Sequence, residues 1–130
     1  MSADSTVDLE ERFHAFLTRS PHELGLGRED PAEIIDRYYT PDIEYCNDGV
    51  RLDRDRLIAH VGPARRNGRE LEIEVREALV RGDRAAARYT LRAVMRKGNT
   101  VEMEIYLFAR FAPDGRIRRV DSITRTIPRK

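Results

Sequence analysis

Leu71-Glu72-Ile73-Glu74-Val75-Arg76 and, beyond an Arg81-Gly82-Asp83 turn, Ala87-Arg88-Tyr89-Thr90-Leu91-Arg92-Ala93 alternate apolar with charged or polar side chains residue by residue. A period of two puts one set on each face of a β-strand, so these runs predict strands with one apolar and one charged face. The pattern continues past Lys97-Gly98-Asn99, where Val101, Met103, Ile105 and Leu107 are opposed by Glu102, Glu104, Tyr106 and Phe108. Pro113-Asp114-Gly115 then turns the chain into a last run. Strands are predicted over 71–80, 84–97, 100–112 and 116–127, joined by short turns into an antiparallel meander. Arg88 and Arg92 against Glu102 and Glu104 supply opposite charges for cross-strand pairs on the outer rows.

Upstream the period is helical. Leu9, Phe13, Phe16 and Leu17 follow i, i+4, i+7, i+8 spacing, and Ser5 with Asp8 resembles a capping box, predicting a helix over 5–18. The stretch Ser20-Pro21-His22-Glu23-Leu24-Gly25-Leu26-Gly27 breaks that period and predicts a mobile loop. Asp30-Pro31-Ala32-Glu33 starts a second helix over 30–40, with Ile34, Ile35 and Tyr38 on its buried stripe and Pro41 at its end. Ile43 to Cys46 reads as a short strand, and Asn47-Asp48-Gly49 as a turn. A third helix over 53–66 presents Leu57, Ile58, Val61 and Ala64, with Gly62-Pro63 fraying its last turn. Helices first and a meander after predict one α+β domain over 1–130, a cone-shaped roll of three helices on a strongly curved, mixed or antiparallel sheet enclosing one pocket.

Composition narrows the function classes. The 130 residues contain 24 basic and 23 acidic side chains, a formal charge of +1, which argues against a nucleic-acid partner. Lys97 and Lys130 are the only lysines, so arginine carries nearly all the positive charge. Arg116, Arg118 and Arg119 read as a solvated strand face. The sequence has no long apolar run and no leader, and the single cysteine, Cys46, has no partner within the chain; the expectation is a cytoplasmic protein without a membrane partner. No histidine pair brackets an acid, no phosphate-cradling glycine loop occurs and no dinucleotide fingerprint is present. Neither a metal nor a cofactor is expected.

Ile34-Ile35-Asp36-Arg37-Tyr38-Tyr39-Thr40-Pro41-Asp42-Ile43-Glu44-Tyr45 resembles the helix, Pro-Asp turn and first strand of the nuclear transport factor 2-like superfamily. Within it, the resemblance is to the SnoaL-like group of polyketide cyclases and ketosteroid-isomerase relatives. Asp53 to Val61 resembles that group's following helix, and Pro113-Asp114-Gly115-Arg116-Ile117 its closing hairpin. The resemblance implies a cone with an internal pocket for a small apolar molecule. Isomerases of this kind carry a general-base aspartate on the first strand, where Cys46 or Asn47 stands here with Asp48 displaced toward the turn. Their oxyanion tyrosine falls near Phe13 or Phe16.

Candidate site residues follow from parity and side-chain chemistry. Asp121 shares parity with Ile117 and Ile123, so a regular strand aims it inward, where burial raises a carboxyl toward a useful base. Arg119, also odd-numbered, would accompany it; a bulge near Arg119 would instead turn Asp121 outward to an arginine. His60, beside the buried stripe of the third helix, is the candidate second proton carrier. Tyr39, Tyr45 and Tyr89 are candidates for phenols at the pocket wall, with core packing as their ordinary role. The functions in view are an acid/base isomerase, cyclase or dehydratase of a small apolar or aromatic molecule, and a non-catalytic binder of one. A third is a homodimeric interaction module using the outer sheet face around Tyr106 and Phe108.

Overall fold

The computed structural model describes residues 8–128. Asp8 caps the first helix, α1 (Leu9–Thr18), by accepting from the Glu11 backbone N–H at 3.1 Å. The helix thus begins at Leu9 rather than at residue 5, and the Ser5 cap lies outside the described residues. Phe13, Phe16 and Leu17 are its buried face, as their spacing requires.

Residues 20–27, expected as a loop, instead form a second helix, α2 (Ser20–Leu26). Pro21 sits in its first turn, where no N–H is needed. Ser20 Oγ donates to the Phe16 carbonyl at 2.5 Å, and the His22 ring stands between the carbonyls of Thr18 (3.1 Å) and Leu71 (2.8 Å). Arg65 donates to the carbonyls of Glu23 and Leu24 at 3.0 and 3.2 Å, satisfying two C-terminal acceptors. Gly27 ends the helix, and a Cβ there would meet the Glu23 carbonyl oxygen at 2.5 Å, so no larger residue fits.

Asp30 caps α3 (Pro31–Tyr38) through the Ala32 N–H, and the chain passes directly into β1 (Tyr39–Asn47). Asp48 and Gly49, at φ 51° and 84°, make the tight turn to β2 (Val50–Leu52). The expected third helix divides at His60 into α4 (Arg54–Ala59), capped by Asp53, and α5 (Val61–Asn67). Pro63 has no N–H to offer the carbonyl of Ala59, which explains the break.

The four long strands are β3 (Gly68–Arg81), β4 (Arg84–Met95), β5 (Thr100–Phe111) and β6 (Ile117–Thr126). They form one open, mixed six-stranded sheet in the order β2-β1-β6-β5-β4-β3, with β1–β6 the parallel pair. Register shifts in β3, at Val75/Glu77, and in the β5–β6 ladder bend the sheet around α1. Phe13, Phe16 and Leu17 from α1, Ile35 from α3, and Leu107, Phe111, Ile117 and Val120 from the sheet belong to one buried core. Half-buried Tyr45, Leu57, Ile58, Ile73, Leu91 and Met103 pack against it. The result is the expected α+β roll. Among the described residues no helix is long and apolar enough to cross a membrane.

Candidate functional site

Which face of β6 looks inward decides what chemistry the cone can hold. Phe111 pairs with Ile117, but Arg110 pairs with Arg119, so one extra residue, at Arg118, is accommodated on β6. Such a bulge exchanges the two faces of the strand beyond it. Ile117 is buried before it; after it, Val120 and Ser122 are buried, while Ile123 is 65% exposed.

Asp121 therefore faces outward, contrary to the expectation from regular parity. It lies between Phe108 on β5 and Cys46 on β1, and accepts from Arg119 Nε at 2.9 Å. Arg119 follows it outward and also reaches Glu44 at 3.8 Å. The two side chains border a groove of about 420 Å³ along the β1–β2 edge and α4. His60 is exposed at the α4–α5 junction, with Nδ1 2.8 Å from the Arg56 carbonyl. The proposed proton carriers thus do not meet inside the cone.

The three tyrosines do come together. Tyr39 and Tyr45, on either side of an irregularity in β1, have ring centroids 6.1 Å apart, and Phe16 packs edge-on against Tyr39 at 5.7 Å. Sheet curvature brings Tyr89 from β4 within electrostatic reach of both phenols on β1. Burial is the main cause that pushes all three phenols above their ordinary pKa; for Tyr39 and Tyr89 the neighbouring phenols add to it, whereas Ser122 beside Tyr45 opposes it. They are consequently neutral O–H donors at physiological pH.

Tyr39 and Tyr89 are 4% and 7% exposed, and neither hydroxyl has a hydrogen-bond partner among the described residues. Thr40 Oγ1 is the single side-chain polar atom there that is both sealed from solvent and unpartnered. The Tyr39 and Tyr89 hydroxyls are unpartnered but not sealed, so both remain free to donate.

Sequence reasoning missed the polar residues beside these phenols. Ser122, buried on β6, donates to Asn47 Oδ1 at 2.8 Å, joining β1 to β6 on the inner face. Asp48, displaced toward the turn from the position of the isomerase base, accepts from the Thr124 N–H at 2.8 Å and from the Thr124 hydroxyl. Those two bonds, the hydroxyl's first, hold its carboxyl below the ordinary value. A carboxylate so engaged makes a poor base and a good clasp between the β1–β2 turn and β6. The Ile117-to-Val120 spacing of three was the signal for the inward turn of Ser122.

Comparison with known proteins agrees with this geometry. The SnoaL-like domain model matches residues 12–120. A Schizosaccharomyces pombe protein of uncharacterised function is 28% identical over 124 residues, spanning 95% of this chain and 88% of that one. Among solved structures, AclR, a candidate hydroxylase from Streptomyces galilaeus, superposes with a TM-score of 0.70 at 20% identity, covering 91% of this chain and 77% of its own. IdmH, a candidate polyketide cyclase from Streptomyces antibioticus, gives 0.69 at 17% identity, covering 91% and 92%. These two likenesses are of fold. With the family model spanning most of the chain and the helix-lined cone beneath it, the chain belongs to the SnoaL-like family, within the nuclear transport factor 2-like superfamily.

Proposed function

We propose that the cone binds a small, largely apolar or aromatic molecule and holds its carbonyl or hydroxyl oxygen by the phenols of Tyr39, Tyr45 and Tyr89. The observation that carries this reading is the convergence of three neutral phenols, two of them without a protein acceptor, on a mostly apolar interior that holds no charged side chain beside them. Binding without general-base catalysis fits better than an acid/base mechanism through Asp121 and His60, because both stand outside that interior. A catalytic form of the reading is favoured by one feature: phenols that stay protonated can polarise a bound carbonyl, as a cyclisation of a polyketide-like substrate requires. The likeness in fold to a candidate polyketide cyclase is consistent with it.

Titration calorimetry with naphthol and a hydroxyanthraquinone tests the reading. Saturable binding, weakened about five- to tenfold in Tyr89→Phe with the fold retained, is expected from one lost hydrogen bond. Binding unchanged in Tyr39→Phe and Tyr89→Phe alike would overturn it.

The same proposal includes a second copy of the chain on the outer sheet face. Leu79, Tyr106, Phe108 and Ile123, 44% to 67% exposed, form an apolar strip across the sheet, joined between β3 and β5 by Ala86 of β4. Glu77 with Arg88 and Glu104 with Arg125 flank it, so a twofold axis can set opposite charges against each other. Light scattering should give a dimer that Ile123→Glu dissociates; a monomeric parent at micromolar concentration rejects it.

A further inference from the structure

On most of the outer face, charges opposite one another alternate in sign. Glu72 lies opposite Arg92 and Arg92 opposite Glu102; Glu77 faces Arg88; Glu104 faces Arg125. One end of the sheet breaks this rule. There Arg81 lies opposite Arg84, Arg84 opposite Arg110 and Arg110 opposite Arg119, placing four arginines in register across β3, β4, β5 and β6. Adjacent strands stand about 4.8 Å apart, so the row is ~14 Å long.

Like charges directly opposite each other destabilise a sheet, and this row contains three such pairs in succession. Arg119 is relieved by Asp121 and Glu44, but Arg81, Arg84 and Arg110 have no acidic partner within 4.0 Å among the described residues. The Arg118 bulge creates the last member of the row, since a regular β6 would turn Arg119 inward. Arg84, Arg110, Arg119 and the ring of Phe108, with the Asp121 carboxylate that Arg119 holds, line a groove of about 470 Å³, within the ~300–1,000 Å³ usual for ligand sites. The row lies at the β3–β4 turn, at the margin of the apolar strip.

We propose that this arginine row is a binding site for a phosphorylated small molecule. Planar guanidiniums one strand apart match successive phosphate oxygens, and a multiply charged anion relieves the repulsion between them. The exposed Phe108 ring offers a stacking surface for an aromatic group on the same ligand. None of the three phenols lines this groove, and the site does not depend on the proposal made for them.

Calorimetry with inorganic pyrophosphate and with ATP, at low salt and up to about 1 mM ligand, tests the site. Pyrophosphate should bind saturably and weaken at least tenfold in the double variant Arg84→Gln/Arg110→Gln. ATP should bind tighter than pyrophosphate, and Phe108→Ala should remove that difference alone. The unliganded double variant should melt no lower than the parent, because repulsion is removed; this separates loss of a site from loss of the fold. Tyr89→Phe should leave pyrophosphate binding unchanged. Absence of saturable binding to the parent, or equal binding by the double variant, would overturn the proposal. So would a parent that ignores pyrophosphate while Arg110→Glu changes its oligomeric mass, which assigns the row to contacts between copies.

Discussion

The inner and outer faces of the sheet are made by the same strands, yet they solve opposite electrostatic problems. Inside, the polar groups are neutral: three phenols, Ser122 and Asn47, on a background of Phe, Ile and Leu. Outside, charges stand in cross-strand pairs and leave Leu79, Tyr106, Phe108 and Ile123 uncovered. An ionised side chain is costly to bury without a partner, so the inward rows exclude carboxylates and guanidiniums. The molecule's recognition chemistry is correspondingly divided: neutral donors within, arginines without.

The bulge at Arg118 maintains this division on β6, and inserting one alanine between Val120 and Asp121 is the sharpest way to break it. With Val120 held in place the insertion would bring Asp121 and Ile123 inward, away from Arg119, and turn Ser122 outward. A carboxylate parted from its arginine cannot be buried at tolerable cost, so the insertion variant should be largely unfolded by circular dichroism. A folded variant of parental melting temperature would show that the sheet absorbs the insertion as a second bulge instead. At the level of single side chains, Leu107→Ala, at a position 1% exposed, should cost about 2–5 kcal/mol in urea unfolding. Its outer-face counterpart Arg92→Ala, which loses a 3.8 Å exposed pair with Glu102, should stay within about 0.5 kcal/mol. Comparable losses at the two positions would contradict the asymmetry.

Regular alternation made the architecture legible before any coordinates. The strands from Leu71 onward, the Asp30-Pro31 helix start and the glycine turns at Gly82 and Gly98 lie where the pattern put them. Irregularities were not legible in the same way. Pro21 reads as a breaker, although its place in a first turn suits a helix that His22 and Arg65 tie to residues far along the chain. The β6 bulge contains neither glycine nor proline, and its trace, Ile117 to Val120, is easily mistaken for a solvated interval. Asp121 and Arg119 were lost from the interior for that one reason. Tyr89 kept its inward position because β4 carries the alternation through it undisturbed, whereas Tyr39 and Tyr45 lie on either side of an irregularity in β1 and still come together.

Titration separates the surface from the interior by a smaller effect of opposite sign. Asp36 is held below its ordinary value of 3.8, first by its hydrogen bond from Arg54, and Asp48 by those from Thr124. A carboxyl whose folded pKa is depressed contributes stability above its unfolded value, and that contribution is lost as pH falls through the folded one. Acid should therefore act on the surface, below about pH 4, and Asp36→Asn should flatten the acid limb of the stability profile. Tyr39 and Tyr89 are displaced upward from 10.0 by burial. Their contribution is complete below that value and disappears as pH rises toward their folded pKa, so alkali acts on the interior. Spectrophotometric titration should show these phenolates appearing together with unfolding, and Tyr39→Phe should extend the stable range upward without altering the acid limb. Early, reversible ionisation of both phenols in the folded chain would mean that the interior is open to water and that the neutral-donor account of the site is wrong.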